Sequence, residues 1–413
     1  MIKFRDYQKQ IIDQGVDILN RHKFVYLAME VRTGKTLTSL GMLDKMMSVN
    51  NVLFLTKKKA MSSIAKDYEM MCPASFSLFI INYESIHKAP NIKWDAIVLD
   101  EAHGLGAFPK PSKRAKDVKN IITKDNPLVV LMSGTPTPES YSQMYHQVYG
   151  IPNNPFKRYS SFYRFCDDYV NVKIKVINSF SIRDYSEGRK SITDKMKPYT
   201  ISYTQKEAGF KVDTKEHIVK VPMLESTTSL IKRLKKDLVV EGKEEVILAD
   251  TPVKLMSKVH QLYSGTIKFE SGKSMVVDYS KAEFIKEKFK GKKIGIFYKF
   301  KAELKAIKDT FGDQVVTELE DFNGTDKNIA LQIVSGREGI SLREADYLVY
   351  YNIDFSATSY WQSRDRMTTK ERLESDIYWV FAENGIEDQI YKAVSKKKDF
   401  TLSHFKRTIN QLF

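Results

Sequence analysis

The stretch FVYLAMEVRTGKTLTSL (residues 24–40) predicts a buried strand, a tight turn and a helix in direct succession. Its first five residues are an apolar run of strand length, and residues 37–47 continue with the spacing of a helix. Residues 30–36 therefore form the turn between these elements. At such a turn, backbone N–H groups and the positive end of the following helix face a phosphate chain.

Three consecutive residues of this turn can bind a nucleoside triphosphate. Gly34 lets the backbone approach the phosphates, Lys35 can reach the β- and γ-phosphates, and the Thr36 hydroxyl can ligate magnesium. A Gly-Lys-Thr tripeptide is common enough to be a weak signal by itself. A second motif is therefore needed to support the interpretation.

The segment AIVLDEAH (residues 96–103) supplies that second motif. Its four apolar residues are typical of a strand buried in a parallel sheet, and they deliver Asp100 and Glu101 to the carboxyl end of the strand. Asp100 would hold magnesium, and Glu101 would orient and deprotonate the attacking water. The alternative is a strand that ends in two surface acids. Beside the Gly-Lys-Thr turn, we favour a site that hydrolyses ATP with Mg²⁺.

Length and composition exclude several classes of protein. At 413 residues the chain is too long for one ordinary core, so we expect two or three domains. No apolar run reaches the roughly 18 residues of a membrane span, and the first ten residues lack a signal peptide's apolar centre. The two cysteines, Cys72 and Cys166, provide neither a disulfide framework nor a metal-binding pair. We expect a cytoplasmic protein with no membrane partner.

The charge balance indicates a polyanionic partner. The chain has 66 basic and 51 acidic residues, which gives a formal net charge of +15. On a nucleotide hydrolase, this surplus favours nucleic acid over a small acidic substrate. The alternative is that the excess lysines only solvate the surface. Clusters of basic residues favour the first interpretation, at residues 57–59, 110–119, 232–236 and 396–398.

Two series of short apolar strands divide the chain. The first extends from residue 24 to about residue 150, and strands that alternate with helices imply a parallel sheet covered on both faces. The second series consists of KIGIFY (293–298), QVVTEL (314–319), NIALQIVS (328–335), DYLVYYN (346–352) and DIYWVFA (376–382). Residues 151–220 interrupt the pattern and look like an inserted or bridging region.

Aromatic and basic residues alternate within the interrupting region, as in FKRYSSFYRF (residues 156–165). Such a segment could stack on unpaired bases beside phosphate contacts. At the same spacings, Phe and Tyr build the core of a small helical subdomain. We favour the core.

The segment YWQSRDRM (residues 360–367) follows a predicted strand of the second series and contains Arg364 and Arg366. A nucleotide motor with two lobes needs the second lobe to reach the ATP site of the first. An arginine supplied in this way stabilises charge on the transferring phosphoryl group. The alternative is a salt-bridged start of a helix.

The order of the motifs resembles superfamily 2 helicases, and within them the Swi/Snf-type double-stranded DNA translocases. The resemblance rests on FRDYQ (4–8), AMEVRTGKT (28–36), VLFLTKK (52–58), NYES (82–85), LDEAH (99–103), LMSGTPTPES (131–140), SGREGISLREAD (335–346), YWQSRDR (360–366) and ESDIYWVFAENGIEDQIYKAV (374–394). It covers nearly the whole chain except about residues 151–220. The chain lacks the long insertions of chromatin remodellers and looks like a compact phage or bacterial member, such as phage branch-migration helicases.

The resemblance implies an α/β fold with two RecA-like lobes, each with a parallel sheet, and an inserted mixed or helical region. Residues 1–150 would form the ATP-binding lobe, residues 151–225 the inserted region and residues 226–413 the second lobe. The expected location is a bacterial cytoplasm or a phage-infected host cell.

The resemblance also implies roles for individual residues. Those expected to bind the nucleotide are Arg5, Gln8, Arg32, Thr33, Gly34, Lys35, Thr36 and Gly339, with Gln8 reading adenine. Those expected to act in catalysis are Lys35, Glu101, Arg364 and Arg366, with Thr36 and Asp100 on the metal. Thr56, Lys57 and Lys58 would contact the nucleic-acid backbone. Ser133, Thr135 and Gln362 would couple hydrolysis to movement.

Three positions depart from the expected motifs. The strict phosphate loop has a glycine where this chain has Met29, an absence that fits the resembled subfamily. The family usually has glycine in place of Arg32 and a second arginine in place of Thr369. Either Arg364, Lys370 or Arg372 takes over the role of the missing second arginine, or one arginine suffices.

Three functional hypotheses follow from these motifs. The first is an ATP-dependent motor on duplex or branched DNA. The second is an RNA helicase, because the DEAH residues (100–103) act on the metal and the attacking water and therefore do not distinguish RNA from DNA. The third is a degenerate ATPase that clamps nucleic acid, against which Lys35, Asp100 and Glu101 argue. No motif marks a wedge for strand separation, and a monomer is compatible with the sequence.

Overall fold

The computed structural model of the chain describes residues 3–71, 74–177, 180–209, 213–242, 245–333, 342, 344–356, 360 and 374–396. The chain divides into two compact units, Met1–Gly209 and Phe210–Phe413. Each unit contains a six-stranded parallel sheet with apolar cores on both of its faces. The prediction of an α/β fold with two RecA-like lobes is confirmed.

The described residues of the first unit form eight strands. They are β1 (Phe24–Met29), β2 (Asn51–Thr56), β3 (Ser77–Asn82), β4 (Ala96–Leu99), β5 (Leu128–Met132), β6 (Lys173–Ile177), β7 (Phe180–Asp184) and β8 (Thr200–Tyr203). Six of them form a parallel sheet in the order β3-β2-β4-β5-β1-β8, while β6 and β7 pair as an antiparallel ribbon. All four residues of β4 are buried, as expected for a central strand whose two faces are both covered.

Seven α-helices accompany these strands in the described part of the first unit. They are α1 (Asp6–His22), α2 (Lys35–Asp44), α3 (Met61–Met71), α4 (Lys113–Asp125), α5 (Met144–Gln147), α6 (Phe162–Tyr169) and α7 (Ser191–Met196). Side chains of Ser112 and Ser161 accept backbone N–H bonds and so begin α4 and α6. Successive residues of β1 enter opposite cores, Phe24 on one face and Val25 on the other.

Residues 151–209 are part of the first unit. Strand β8 extends its sheet beside β1, and Phe156, Phe162 and Phe165 are at most 3% exposed within its core. The interpretation of these aromatic residues as core is therefore confirmed. Residues 210–225 belong to the second unit, so the division differs from the separate region 151–225 that the sequence predicts.

The second unit contains ten strands in its described residues. They are β9 (Asp213–Val221), β10 (Val239–Glu241), β11 (Val246–Leu248), β12 (Thr266–Lys268), β13 (Ser274–Val276), β14 (Ile294–Tyr298), β15 (Val315–Val316), β16 (Asn328–Gln332), β17 (Tyr347–Tyr350) and β18 (Glu374–Ala382). The parallel sheet has the order β15-β16-β14-β17-β18-β9. The other four strands form two antiparallel ribbons, β10 with β11 and β12 with β13.

The helices described in the second unit are α8 (Glu225–Asp237), α9 (Pro252–Tyr263), α10 (Ser280–Lys288), α11 (Lys301–Phe311), α12 (Leu319–Phe322) and α13 (Glu387–Val394). The predicted strand at residues 314–319 is wrong in extent, because only Val315 and Val316 pair with β16 and a helical turn starts at Leu319. No helix in the described ranges is both long and apolar enough to span a membrane.

A buried ion pair joins two helices of the second unit. Lys281 of α10 and Glu387 of α13 are fully buried, with Nζ and Oε1 2.7 Å apart. The ammonium group also donates to the backbone carbonyl of Tyr351, directly after β17. The pair therefore links both helices to the central part of the sheet.

Candidate active site

The phosphate-loop candidate lies between β1 and the N-terminus of α2. Gly34 caps α2 with a φ of 80°, a conformation that favours glycine. A Cβ atom at Gly34 would lie 2.5 Å from Nε2 of Gln8, so a side chain is also sterically excluded. The arrangement leaves the N-terminal N–H groups of a ten-residue helix available to an anion.

Helix α1 holds this loop from one side. Nε2 of Gln8 lies 3.4 Å from both the carbonyl oxygen of Gly34 and the hydroxyl of Thr38, and its Oε1 accepts the backbone N–H of Arg5. The hydroxyl of Tyr7 donates to the carbonyl of Thr33 at 3.1 Å. Gln8 therefore positions the loop, and its role in reading adenine stays a prediction, as does that of Arg5.

The segment after β8 holds the loop from the other side. The backbone N–H of Gln205 donates to Oε2 of Glu30 at 2.7 Å, and its side chain donates to the carbonyl of Val31. The ring of Tyr203 stacks on Tyr7 with centroids 4.7 Å apart. These contacts were missed at the sequence level because they join the loop to a strand about 170 residues later in the chain.

Within the loop, the predicted nucleotide residues differ in environment. The Thr33 hydroxyl donates to the carbonyl of Glu30 at 2.8 Å, and Thr33 is fully buried with its own carbonyl bonded to Tyr7, so its contact with the nucleotide stays a prediction. Arg32 has a left-handed backbone with a φ of 62°, at the position where the family usually has glycine. Thr36 lies half-buried in the first turn of α2, where a metal-binding hydroxyl is expected.

Asp100 and Glu101 follow the central strand β4 directly. Oδ2 of Asp100 accepts the hydroxyl of Thr56 at 2.7 Å, and the backbone carbonyl of Asp100 accepts the hydroxyl of Tyr83 at 2.6 Å. Burial, and then the charge of Glu101, raise the pKa of Asp100 to about 6, although the Thr56 bond and the charge of Lys35 act in the opposite direction. The carboxylate is thus held in place but lacks a full counter-charge.

Glu101 is linked to the segment that follows β5. Nδ1 of His103 lies 3.2 Å from Oε2 of Glu101 and 2.9 Å from the hydroxyl oxygen of Ser133. That hydroxyl oxygen also accepts the backbone N–H of Thr135. Glu101 adopts a left-handed backbone with a φ of 50°, which turns the chain sharply after β4. His103 had no predicted role, although it lies within LDEAH.

The segment after β5 also approaches the phosphate loop closely. A Cβ atom at Gly134 would lie 3.5 Å from the carbonyl oxygen of Met29 and 3.6 Å from Nζ of Lys35. The Lys35 ammonium group is 3.4 Å from the carbonyl oxygen of Glu30. Three predicted motifs, from β1, β4 and β5, therefore meet at the carboxyl edge of one sheet.

Tyr26 and Gln147 fix the segment that follows β5, and no sequence motif predicted this role. The hydroxyl of Tyr26 donates to Oε1 of Gln147 at 2.7 Å, and Nε2 of Gln147 donates to the carbonyl of Pro136 at 2.7 Å. Burial raises the pKa of Tyr26 far above its ordinary value, so it remains a neutral donor. This contact holds the residues directly after Thr135.

The donor set fits a magnesium nucleotide. Thr36 and Asp100 provide oxygen ligands of the kind that Mg²⁺ prefers, and a cation would offset the repulsion between Asp100 and Glu101. In the described ranges, no three His, Cys, Asp or Glu residues group closely enough to hold a metal by themselves. Phosphate oxygens and water would therefore complete the coordination, as is usual for Mg²⁺ in nucleotide sites.

The predicted nucleic-acid residues are only partly compatible with that role. Thr56 is fully buried and its hydroxyl is bonded to Asp100, so its side chain supports the metal ligand, and its contact with the nucleic-acid backbone stays a prediction. Lys57 is half-buried and Lys58 is exposed, and their contacts stay predictions. The predicted residues Gly339, Gln362, Arg364 and Arg366 lie outside the described residues, as does Thr369.

The family model for the SNF2-related domain matches residues 45–277, which is more than half of the chain. The chain belongs to the SNF2-related family. A second model, for the res subunit of type III restriction enzymes, matches residues 1–83, including the phosphate loop. Membership identifies a Swi/Snf-like protein of superfamily 2 and supports ATP hydrolase activity. The compact phage or bacterial type stays a prediction.

Two solved structures from Sulfolobus solfataricus are similar to this SNF2-related chain at 15% sequence identity. One is the SWI2/SNF2 ATPase core in complex with dsDNA, with a TM-score of 0.44 over 99% of this chain and 93% of that one. The other is the SWI2/SNF2 ATPase core domain, with a TM-score of 0.44 over 96% of this chain and 89% of that one. No curated protein sequence matches the chain.

Proposed function

We propose that the chain is an ATP-dependent DNA translocase or helicase that moves on duplex or branched DNA. Hydrolysis of ATP would drive remodelling of DNA in replication, recombination or repair. The proposal is supported by membership of the SNF2-related family and by the meeting of three motifs at one sheet edge.

One observation carries the proposal. His103 contacts both Glu101, the candidate base, and Ser133, in the segment that begins after β5. A simple ATP-binding protein has no need for such a link between the water-activating carboxylate and a second segment. In a motor, the link would transmit the state of the γ-phosphate to the rest of the protein.

The residues suggest a division of roles during hydrolysis. The N–H groups of α2 and Lys35 would hold the β- and γ-phosphates, while Thr36 and Asp100 would hold Mg²⁺, which neutralises charge on the phosphates when bound. Glu101 would take a proton from the attacking water as the bond between the γ-phosphorus and its bridging oxygen breaks. We also propose that Arg366, with Arg364, stabilises the transferring phosphoryl group.

DNA is the proposed polymer because the net charge of +15 suits a polyanion and the motifs resemble those of Swi/Snf-type DNA translocases. Contacts of this kind are mainly with the phosphate backbone and carry little sequence preference. Binding should therefore weaken steeply as the salt concentration rises, because counterions are released on binding.

The decisive experiment measures ATP turnover by the full chain without polymer and with blunt duplex, forked DNA, Holliday junctions, single-stranded DNA and RNA. We expect stimulation by duplex or branched DNA. Lys35→Ala should abolish turnover, and Glu101→Gln should bind ATP without hydrolysing it. Stimulation by RNA alone would identify an RNA helicase. Nucleic-acid binding without stimulation by any polymer would identify a clamp and refute the motor.

A further inference from the structure

The antiparallel ribbon of β6 and β7 in the first unit exposes apolar side chains to solvent. Every side chain described in residues 171–174 and 181–183 is exposed. Three of these side chains are apolar: Val172, Ile174 and Ile182 are 41%, 70% and 49% exposed. Side chains this open add little hydrophobic stabilisation, so the core does not explain why these positions are apolar.

The two isoleucines lie on opposite faces of the ribbon. Ile174 pairs in register with Arg183, and paired residues of an antiparallel ribbon share a face. Ile182 directly precedes Arg183 in β7, and successive side chains of a strand point to opposite faces. Each face of the ribbon therefore presents one exposed isoleucine, and one of the faces also presents Arg183.

The base of the ribbon is held by the core of the first unit. The backbone N–H of Asn171 donates to the carbonyl of Glu187 at 2.9 Å. The N–H of Arg189 donates to the carbonyl of Tyr169 at 2.8 Å, and Tyr185, directly after β7, is buried. A two-stranded ribbon alone is only marginally stable in water. These contacts therefore fix the position of the exposed isoleucines on the first unit.

The charge of the ribbon is complementary to that of nucleic acid. From residue 170 to residue 183 the sequence contains Lys173, Lys175 and Arg183 but no Asp or Glu. Lys173 forms an ion pair with Glu187 at the base of the ribbon, whereas Arg183 is exposed further along it. Arg183 is therefore well placed to contact a phosphate group, beside an apolar side chain that can contact a base.

The type of side chain indicates which part of a nucleic acid the ribbon contacts. Reading base edges in a groove requires hydrogen-bond donors and acceptors, which Val and Ile side chains lack. Aliphatic side chains act instead as wedges that unstack neighbouring bases. Unstacking costs least where bases are already unpaired, as they are where a duplex divides into two strands. The ribbon therefore suits a strand junction better than continuous duplex.

We propose that the β6–β7 ribbon contacts the strand junction of forked or branched DNA. Ile174 and Ile182 each meet the bases of one of the two diverging strands, because they lie on opposite faces, and Arg183 contacts the backbone. The inference rests on the proposed function and deepens it, since it selects DNA with a junction as the substrate of the motor. Movement along continuous duplex does not require this contact, so the two can be separated by experiment.

Two matched double variants test the proposal. Ile174→Thr with Ile182→Thr, the ribbon variant, replaces two apolar side chains by polar ones that keep the strand-favouring branch at Cβ. Ile218→Thr with Val246→Thr, the control variant, makes equivalent changes in strands β9 and β11, where these residues are 43% and 38% exposed. Urea denaturation midpoints of both variants reveal any general loss of stability.

Binding measured without ATP separates the ribbon contact from the motor. Fluorescence anisotropy gives the Kd of the full chain for a forked DNA and for a blunt duplex of equal length at one salt concentration. We expect the ribbon variant to bind the fork about tenfold more weakly and the blunt duplex less than about twofold more weakly, with the control variant like wild type on both. A wild-type Kd of the ribbon variant for the fork, or equal losses on the two DNAs, would overturn the proposal.

A fluorescent adenine analogue at the junction distinguishes contact with bases from contact with phosphates. Its fluorescence rises when the base is unstacked, so we expect an increase on binding of wild type and of the control variant but not of the ribbon variant. An equal increase with all three proteins would contradict the wedge. A loss of dimer in sedimentation by the ribbon variant, with unchanged binding of the fork, would show that the ribbon joins two copies of the chain and would refute its role in DNA binding.

ATP turnover connects the ribbon to the proposed function. The concentration of forked DNA that half-activates turnover should rise about tenfold in the ribbon variant, with kcat and half-activation by blunt duplex changed less than about twofold. Equal changes on the two DNAs would contradict a junction contact. A wild-type chain whose turnover no DNA stimulates, but which shows the difference in fork binding, refutes the proposed motor and leaves the ribbon contact intact.

Discussion

The hydroxyl of Thr56 donates a 2.7 Å hydrogen bond to Oδ2 of Asp100 and is buried at the end of β2. Magnesium binding requires the charged form of Asp100, whereas burial and the charge of Glu101 raise the pKa of this carboxyl to about 6. The Thr56 bond lowers that pKa. Thr56, which the sequence predicts to contact nucleic acid, therefore lowers the free-energy cost of ionising Asp100, the predicted metal ligand.

Thr56→Val is expected to move the acid limb of the pH profile of kcat/KM to higher pH. The free enzyme loses the charged form of Asp100 as the pH falls through about 6, and loss of the hydrogen bond raises that pKa further. ATP turnover at low ATP concentration, measured between about pH 5 and 9, gives the profile. Thr56→Ser keeps the hydroxyl and should retain the wild-type limb. An identical limb in Thr56→Val would contradict the role.

Asp100→Asn is expected to stabilise the nucleotide-free protein at pH 7.5 while abolishing turnover. The pKa of Asp100 in the folded protein, about 6, lies above the ordinary value of 3.8, so protonation favours folding. This contribution is complete below pH 3.8 and is lost as the pH rises through about 6.

Urea denaturation in EDTA measures this effect. The midpoint of the Asn variant should exceed that of wild type at pH 7.5, and the difference should shrink near pH 4, where both side chains are largely neutral. A difference that does not depend on pH would show that the gain has another origin.

Ser133→Ala is expected to separate hydrolysis from movement. The substitution removes the hydroxyl that contacts His103 and accepts the N–H of Thr135, but leaves Lys35 and Glu101 in place. DNA-dependent ATP turnover should fall less than the rate at which the protein displaces a triplex-forming strand from duplex DNA. Ser142→Ala is a matched control, since Ser142 is also a buried, bonded serine, whose hydroxyl donates to the carbonyl of Tyr185. Parallel losses of both activities in Ser133→Ala would contradict the coupling role.

Local patterns in the sequence were sufficient to predict the sheet edge that carries the site. The strands around Gly34, Asp100 and Ser133 are apolar runs that end in polar residues, and parallel strands place such ends at one edge. The sequence pattern alone therefore predicts that the phosphate loop and the two carboxylates lie close together. The sequence did not predict the partners of these residues, because Tyr203 ends strand β8 and Gln205 follows it, and β8 pairs with β1, which is distant in sequence.

The features that the sequence did not reveal have a similar physical origin. Thr56 lies at the end of β2, where a side chain can face either the neighbouring strand or the solvent, and the sequence does not distinguish the two. Strands β8 and β9 have partners far away in the chain, so the region 151–225 looked separate although it is shared by two units.

Lys281→Met is expected to lower the free energy of unfolding of the second unit by about 3–5 kcal/mol, because it leaves Glu387 buried without its counter-charge. Glu387→Leu in addition should recover much of this loss, since two apolar side chains of similar volume can replace a buried ion pair. Lys305→Met is the matched control: it breaks the exposed pair with Asp309, which should change stability by at most about 1 kcal/mol. Urea denaturation followed by intrinsic fluorescence measures all three variants. Equal losses in Lys281→Met and Lys305→Met would mean that burial of the pair contributes nothing.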